Sequence, residues 1–137
     1  THYLLDTNHA SPLVTLTHPL RLEILTRISD GHAFAINAPA LTETLYGLYM
    51  LPRVEENMIE WSRLRQAIDC YKVDEQDAEM ASALQVILRR KGWQLEHPTA
   101  YAATAIRYDL VLLTADKDLS AVPDLKHENW LAKLITP

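Results

Sequence analysis

Two short apolar runs near opposite ends of the chain halt in the same manner. Tyr3-Leu4-Leu5 gives way to Asp6-Thr7-Asn8, and Leu110-Val111-Leu112-Leu113 gives way to Thr114-Ala115-Asp116-Lys117-Asp118. A run that is apolar at every position suits a strand buried on both faces, the condition of a strand inside a parallel sheet. A third run, Ala33-Phe34-Ala35-Ile36, stops likewise at Asn37 and Pro39. The first strand is expected over His2 to Leu5, and a further short one over Cys70-Tyr71-Lys72-Val73.

Between these runs the period changes. Leu20, Ile24 and Ile28 share one helical face, with Pro19 in the first turn. Residues 40 to 51 and 55 to 68 carry helical spacing, the second through Met58, Ile59, Trp61, Leu64 and Ile68, and Pro52 separates them. Asp74 is an N-cap for a helix through Ala78, Ala81, Leu84, Ile87 and Leu88, closed by Arg89-Arg90-Lys91 and Gly92. Pro98 starts an alanine-rich helix to about Tyr108. Strands alternating with helices predict an α/β fold with a mainly parallel central sheet flanked by helices. With 137 residues and no internal repeat or linker, one domain over residues 1–137 is the simplest organisation.

Composition narrows the function classes. Lys and Arg number 13 against 18 Asp and Glu, a net charge of -5, which argues against binding nucleic acid by bulk attraction alone. A metal or a local basic patch must draw in any RNA or DNA. Three glycines leave no glycine-rich phosphate loop. The single cysteine, Cys70, cannot form an internal disulfide, and no apolar run approaches the roughly 18 residues of a membrane span. No secretory leader is legible, so a soluble, reducing, cytoplasmic setting is expected.

In an open parallel sheet, ligands bind beyond the carboxyl ends of the strands. Asp6 and Asp116 are therefore expected to meet. Glu43 joins them as a third candidate, an acid one turn into a weakly charged helix, where it needs a partner. Clustered carboxylates repel one another unless a cation sits among them. Hard oxygen ligands select Mg²⁺ or Mn²⁺, ions that orient a water and neutralise a phosphodiester in transit. Simple helix capping explains either aspartate alone. The two together with Glu43 favour a site.

With these residues assembled, the chain resembles the PIN-domain proteins, and among them the VapC-type toxin ribonucleases of bacterial toxin-antitoxin pairs. The resemblance rests on Leu4-Leu5-Asp6-Thr7-Asn8, on Thr42-Glu43 with Gly47, on Ala102-Ala103-Thr104-Ala105, on Leu112 through Asp118, and on Glu128-Asn129-Trp130 as a last strand. It implies a three-layer PIN-like fold and metal-dependent hydrolysis of an RNA phosphodiester. It also implies catalytic and metal-binding roles for Asp6, Glu43 and Asp116, an outer metal role for Asp118, and hydrogen-bonding support from Asn8 and Thr114. A cognate antitoxin and a homodimer are the implied partners. The family carries a further aspartate where this chain has Pro98, a position for which Glu96 or His97 could substitute.

Other conspicuous residues have plainer readings. His2, His9, His18, His32 and His127 lack metal-ligand spacing and suit surface or capping roles. Cys70 reads as a small buried hydrophobe. Trp61, Tyr46, Tyr49 and Met50 exceed what one small core absorbs and are assigned to an interface. Arg89-Arg90-Lys91 is explained by the helix dipole. Two rivals to the nuclease remain: a PIN-like module that binds RNA or protein without catalysis, and a phosphatase using Asp6 as nucleophile. The latter usually needs an acid two residues on, where Asn8 stands.

Overall fold

The structure, a computed structural model, describes residues 1–92 and 97–135. Its strands are β1 (His2–Leu5), β2 (Ala33–Asn37), β3 (Ile68–Tyr71), β4 (Val111–Leu113) and β5 (His127–Glu128). The helices are α1 (Thr7–Ala10), α2 (Pro19–Ser29), α3 (Ala38–Met50), α4 (Val54–Arg65), α5 (Glu75–Arg90), α6 (His97–Arg107) and α7 (Trp130–Ile135). Two 3-10 turns, Ser11–Val14 and Lys117–Ala121, follow α1 and β4.

The strands lie in the order β3-β2-β1-β4-β5, and every pairing among the described residues is parallel. Parallel neighbours require crossover connections, which the helices supply. Leu4 sits beside Ala35 on one side and Leu112 on the other. Leu4, Leu5, Leu112 and Leu113 are all fully buried, which explains why these runs are apolar throughout. At the opposite strand ends, Tyr3 stacks on Phe34 with centroids 5.0 Å apart and meets the edge of Trp130 at 4.9 Å.

Several boundaries behave as expected. Asp74 caps α5 in a reciprocal capping box with Asp77, and Gly92 follows the helix with a φ of 86°. His18 caps α2 through the Leu20 amide.

Other expectations need correction. The helix assigned to residues 55–68 ends at Arg65, whose guanidinium donates to the Ile68 carbonyl at 2.6 Å, and Ile68 enters β3 opposite Phe34. Because β3 is an edge strand, Cys70 is exposed and not buried. Trp61 is 2% exposed and belongs to the core with Leu64, so it is not free for an interface. Tyr46, Tyr49 and Met50 do remain on the surface. The last strand ends at Glu128; Asn129 instead accepts from the Ala132 amide and starts α7 at Trp130.

Candidate metal-binding active site

Parallel pairing of Leu5 with Leu113 brings the ends of β1 and β4 side by side, and the Asp6 amide donates to the Leu113 carbonyl at 3.0 Å. The next residues on each strand therefore converge. The buried Thr114 hydroxyl donates to Asp6 Oδ2 at 2.7 Å. Asn8 Nδ2 reaches the same oxygen at 3.2 Å, and the Thr7 amide donates to Asp6 Oδ1 at 2.5 Å. Asp6 thus caps α1 while its carboxylate is held by neutral donors. No basic side chain among the described residues pairs with it.

The other two acids approach from separate elements. Glu43, in the second turn of α3, accepts from the Thr7 hydroxyl at 3.2 Å. Asp116 receives the Asp118 amide at 3.0 Å and caps the 3-10 turn, while its own amide donates to Thr114 Oγ1 at 3.1 Å. Capping and site membership are therefore compatible. Burial raises the Asp6 pKa above the ordinary value; the Thr114 and Thr7 hydrogen bonds oppose that shift, and the charges of Glu43 and Asp116 add to it.

α6 packs closely because Ala102, Ala103 and Ala105 are small and buried. Asn37 ties it to α3: Nδ2 donates to Thr104 Oγ1 at 3.1 Å, and Oδ1 caps α3 through the Ala40 amide. This packing brings in Tyr101, which sequence reasoning missed because an aromatic among alanines looks like ordinary core. Its phenol is buried beside Glu43 and Thr7, and burial first, then the Glu43 carboxyl, holds its pKa far above the usual tyrosine range. The hydroxyl makes no hydrogen bond of ordinary geometry among the described residues.

His9 corrects a second expectation. Assigned a surface or capping role, it is fully buried, and burial depresses its pKa to about 4. Its Nδ1 lies 2.7 Å from Asn8 Oδ1, and Nε2 accepts the Trp130 amide at 3.1 Å. Only its adjacency to Asp6-Thr7-Asn8 marked it in the sequence. Asp118 meets the cluster through its backbone amide. Glu96 and the side chains of His97 and Pro98 lie outside the described residues.

Among the described residues, no three His, Cys, Asp or Glu side chains close tightly around one point. The donor chemistry nevertheless fits a hard divalent cation. Asp6, Glu43 and Asp116 offer only carboxylate oxygens. The Asp6 carboxylate has about four lone-pair sites, of which three are taken by hydrogen bonds, and an unpartnered buried hydroxyl stands nearby. Mg²⁺ commonly keeps several waters and is bound through one or two carboxylates, so three acids need not all touch the ion directly. Beside Asp116 a groove of about 300 Å³ opens, lined by Lys117, Ser120, His127 and Asn129.

No curated protein matches the sequence. Among solved structures, a chain of the VapBC2 complex of Rickettsia felis, bound to DNA from its promoter, superposes with a TM-score of 0.83 at 21% identity, covering 95% of this chain and 99% of that one. A chain of the FitAcB complex of Neisseria gonorrhoeae gives 0.70 at 22% identity, covering 94% and 97%. VapC20 of Mycobacterium tuberculosis, a toxin that cleaves the sarcin-ricin loop, gives 0.63 at 14% identity, covering 88% and 94%. At such identities the likeness carries the fold alone. The PIN domain family matches residues 3–125, a span that begins in β1 and runs past β4 and so includes Asp6, Glu43 and Asp116. The chain belongs to the PIN-domain family.

Proposed function

We propose that this protein is a Mg²⁺- or Mn²⁺-dependent endoribonuclease and the toxin of a toxin-antitoxin pair. The observation that carries the reading is the buried Asp6, held among the described residues only by neutral donors, with the charges of Glu43 and Asp116 near it. Such a group favours a cation. Asp6, Glu43 and Asp116 would hold the metal, with Asp118 as an outer member. When bound, a divalent ion supplies an activated water and neutralises the scissile phosphodiester. Thr114 and Asn8 orient the Asp6 carboxylate, and Thr7 orients Glu43. Neighbours solved as toxin-antitoxin proteins, from Klebsiella pneumoniae and Mycobacterium tuberculosis, support an antitoxin partner. The exposed Tyr46, Tyr49 and Met50 on α3 support a homodimer, and no described helix is long and apolar enough to cross a membrane. A cytoplasmic location follows from the same reading.

A second reading, a PIN module that binds RNA or a protein without cutting, draws on Pro98 in place of the family's further aspartate. Cleavage assays separate the two. Wild-type protein, freed of any co-purifying antitoxin, is expected to cleave RNA with Mg²⁺ or Mn²⁺, and Pro98→Asp to cleave faster. His97→Ala asks whether His97 stands in: loss confined to Mn²⁺ would make it a ligand. A folded wild type that neither cleaves RNA nor binds either ion would replace the nuclease with the binding module.

A further inference from the structure

Three groups with fixed hydrogen-bonding roles, the Trp130 and Ala115 amides and the Asp6 carboxylate, surround the His9–Asn8 pair. The Trp130 amide can only donate, so Nε2, 3.1 Å away, must present its lone pair. A neutral imidazole then carries its proton on Nδ1, which points at Asn8 Oδ1 at 2.7 Å. The same oxygen accepts the Ala115 amide at 3.2 Å, so Asn8 faces two donors on that side and must turn its Nδ2 toward Asp6 Oδ2. Reversing the Asn8 amide would set N–H groups against N–H groups and an oxygen against a carboxylate. The network has one self-consistent direction.

We propose that His9 is a positioning residue: it is the middle of a directional hydrogen-bond chain from the Trp130 amide through Asn8 to the Asp6 carboxylate. The inference rests on Asp6 acting in the nuclease site proposed above. The chain does two things. It prevents rotation of the Asn8 amide, keeping a donor on Asp6 Oδ2, and it couples the start of α7 to the end of β1. Full burial keeps the imidazole neutral at physiological pH, as the arrangement requires. Groups that orient a metal-binding carboxylate affect metal affinity or activity although they touch neither metal nor substrate.

Two substitutions divide the imidazole's roles. His9→Asn keeps a donor near Nδ1 and gives up the acceptor for Trp130; His9→Gln keeps an acceptor near Nε2 and gives up the donor to Asn8. Nitrogen NMR of the wild type is expected to show the Nδ1–H tautomer, with an Asn8 side-chain amide protected from exchange. In His9→Gln that protection disappears, and kcat for RNA cleavage or Mn²⁺ affinity falls about ten- to hundredfold with KM little changed. His9→Asn, at similar melting temperature, stays within about threefold of wild type. An Nε2–H tautomer, or glutamine and asparagine variants with equal kcat and equal Asn8 protection, would overturn the proposal. Should His9→Gln fail to fold, the wild-type tautomer decides alone. If the wild type neither cleaves RNA nor binds Mn²⁺, the nuclease reading falls, while the tautomer and the Asn8 amide still judge the chain.

Discussion

Among the described residues two aspartates are buried, and they are kept in opposite ways. Asp77, 1% exposed at the start of α5, has the Arg107 guanidinium 3.0 Å from Oδ2, and that guanidinium also pairs with Asp74 at 2.6 Å. Asp6, 6% exposed at the end of β1, has a hydroxyl, an amide and a backbone N–H, with like charges beyond them. The first carboxylate is neutralised within the protein and serves to join α5 to α6. The second is oriented but not neutralised, which leaves its charge available to a ligand. A buried acid is therefore a functional signal when no opposite charge pairs with it; an unfilled lone pair alone, as on the buried Asp77 Oδ1, is not one.

That contrast can be broken experimentally. Asp6→Asn, nearly isosteric, is expected to cut RNA cleavage and Mn²⁺ binding by orders of magnitude while the metal-free melting temperature holds or rises. Unfolding of this variant would place Asp6 in the same class as Asp77. Arg107→Leu should do the reverse, lowering the melting temperature by roughly 5–10 °C with little change in cleavage per folded molecule. A selective loss of cleavage there would erase the distinction. Thr114→Val removes the 2.7 Å donor to Asp6 and should cost roughly tenfold in activity, with Thr114→Ser restoring most of it.

The smallest expected effect lies in pH dependence. Because the folded pKa of Asp6 is raised above 3.8, its contribution to stability is present below that value and lost as pH rises through the folded pKa. Asp74 is held below 3.8, chiefly by the Arg107 hydrogen bond; its contribution is present above 3.8 and lost as pH falls through its folded pKa. Metal-free melts from acid to neutral pH should show Asp6→Asn gaining on wild type as pH rises, and Asp74→Asn approaching wild type as pH falls. Saturating Mn²⁺ should abolish the first trend and leave the second. Parallel curves would show that the two acids do not differ in the way described.

What could be read from the sequence follows the same division. The strands ending at Asp6 and Asp116 were legible because burial on both faces demands uninterrupted apolar residues, and parallel pairing then aligns their ends. Glu43 was legible as an acid on a helix with little other charge. His9 was not, because its Nε2 partner, the Trp130 amide, lies 121 residues away in the chain, and nothing local distinguishes a covered imidazole from an exposed one. Cys70 was misjudged because exposure on β3 depends on strand order, and short strands at the edge and the centre can share a composition. Trp61 was misjudged for a related reason: a helical apolar face looks the same whether it meets its own core or another molecule.

The sheet order also has a consequence for synthesis. Asp6 is made more than a hundred residues before its backbone partner Leu113, its donor Thr114 and the residue that anchors His9, Trp130. Strand β1 must wait at the centre of the sheet for β4 to arrive alongside it, a non-local closure that cannot precede translation of the late segment. A message broken or stalled before the Leu113 codon therefore yields a fragment that has Asp6 and no β4 to support it.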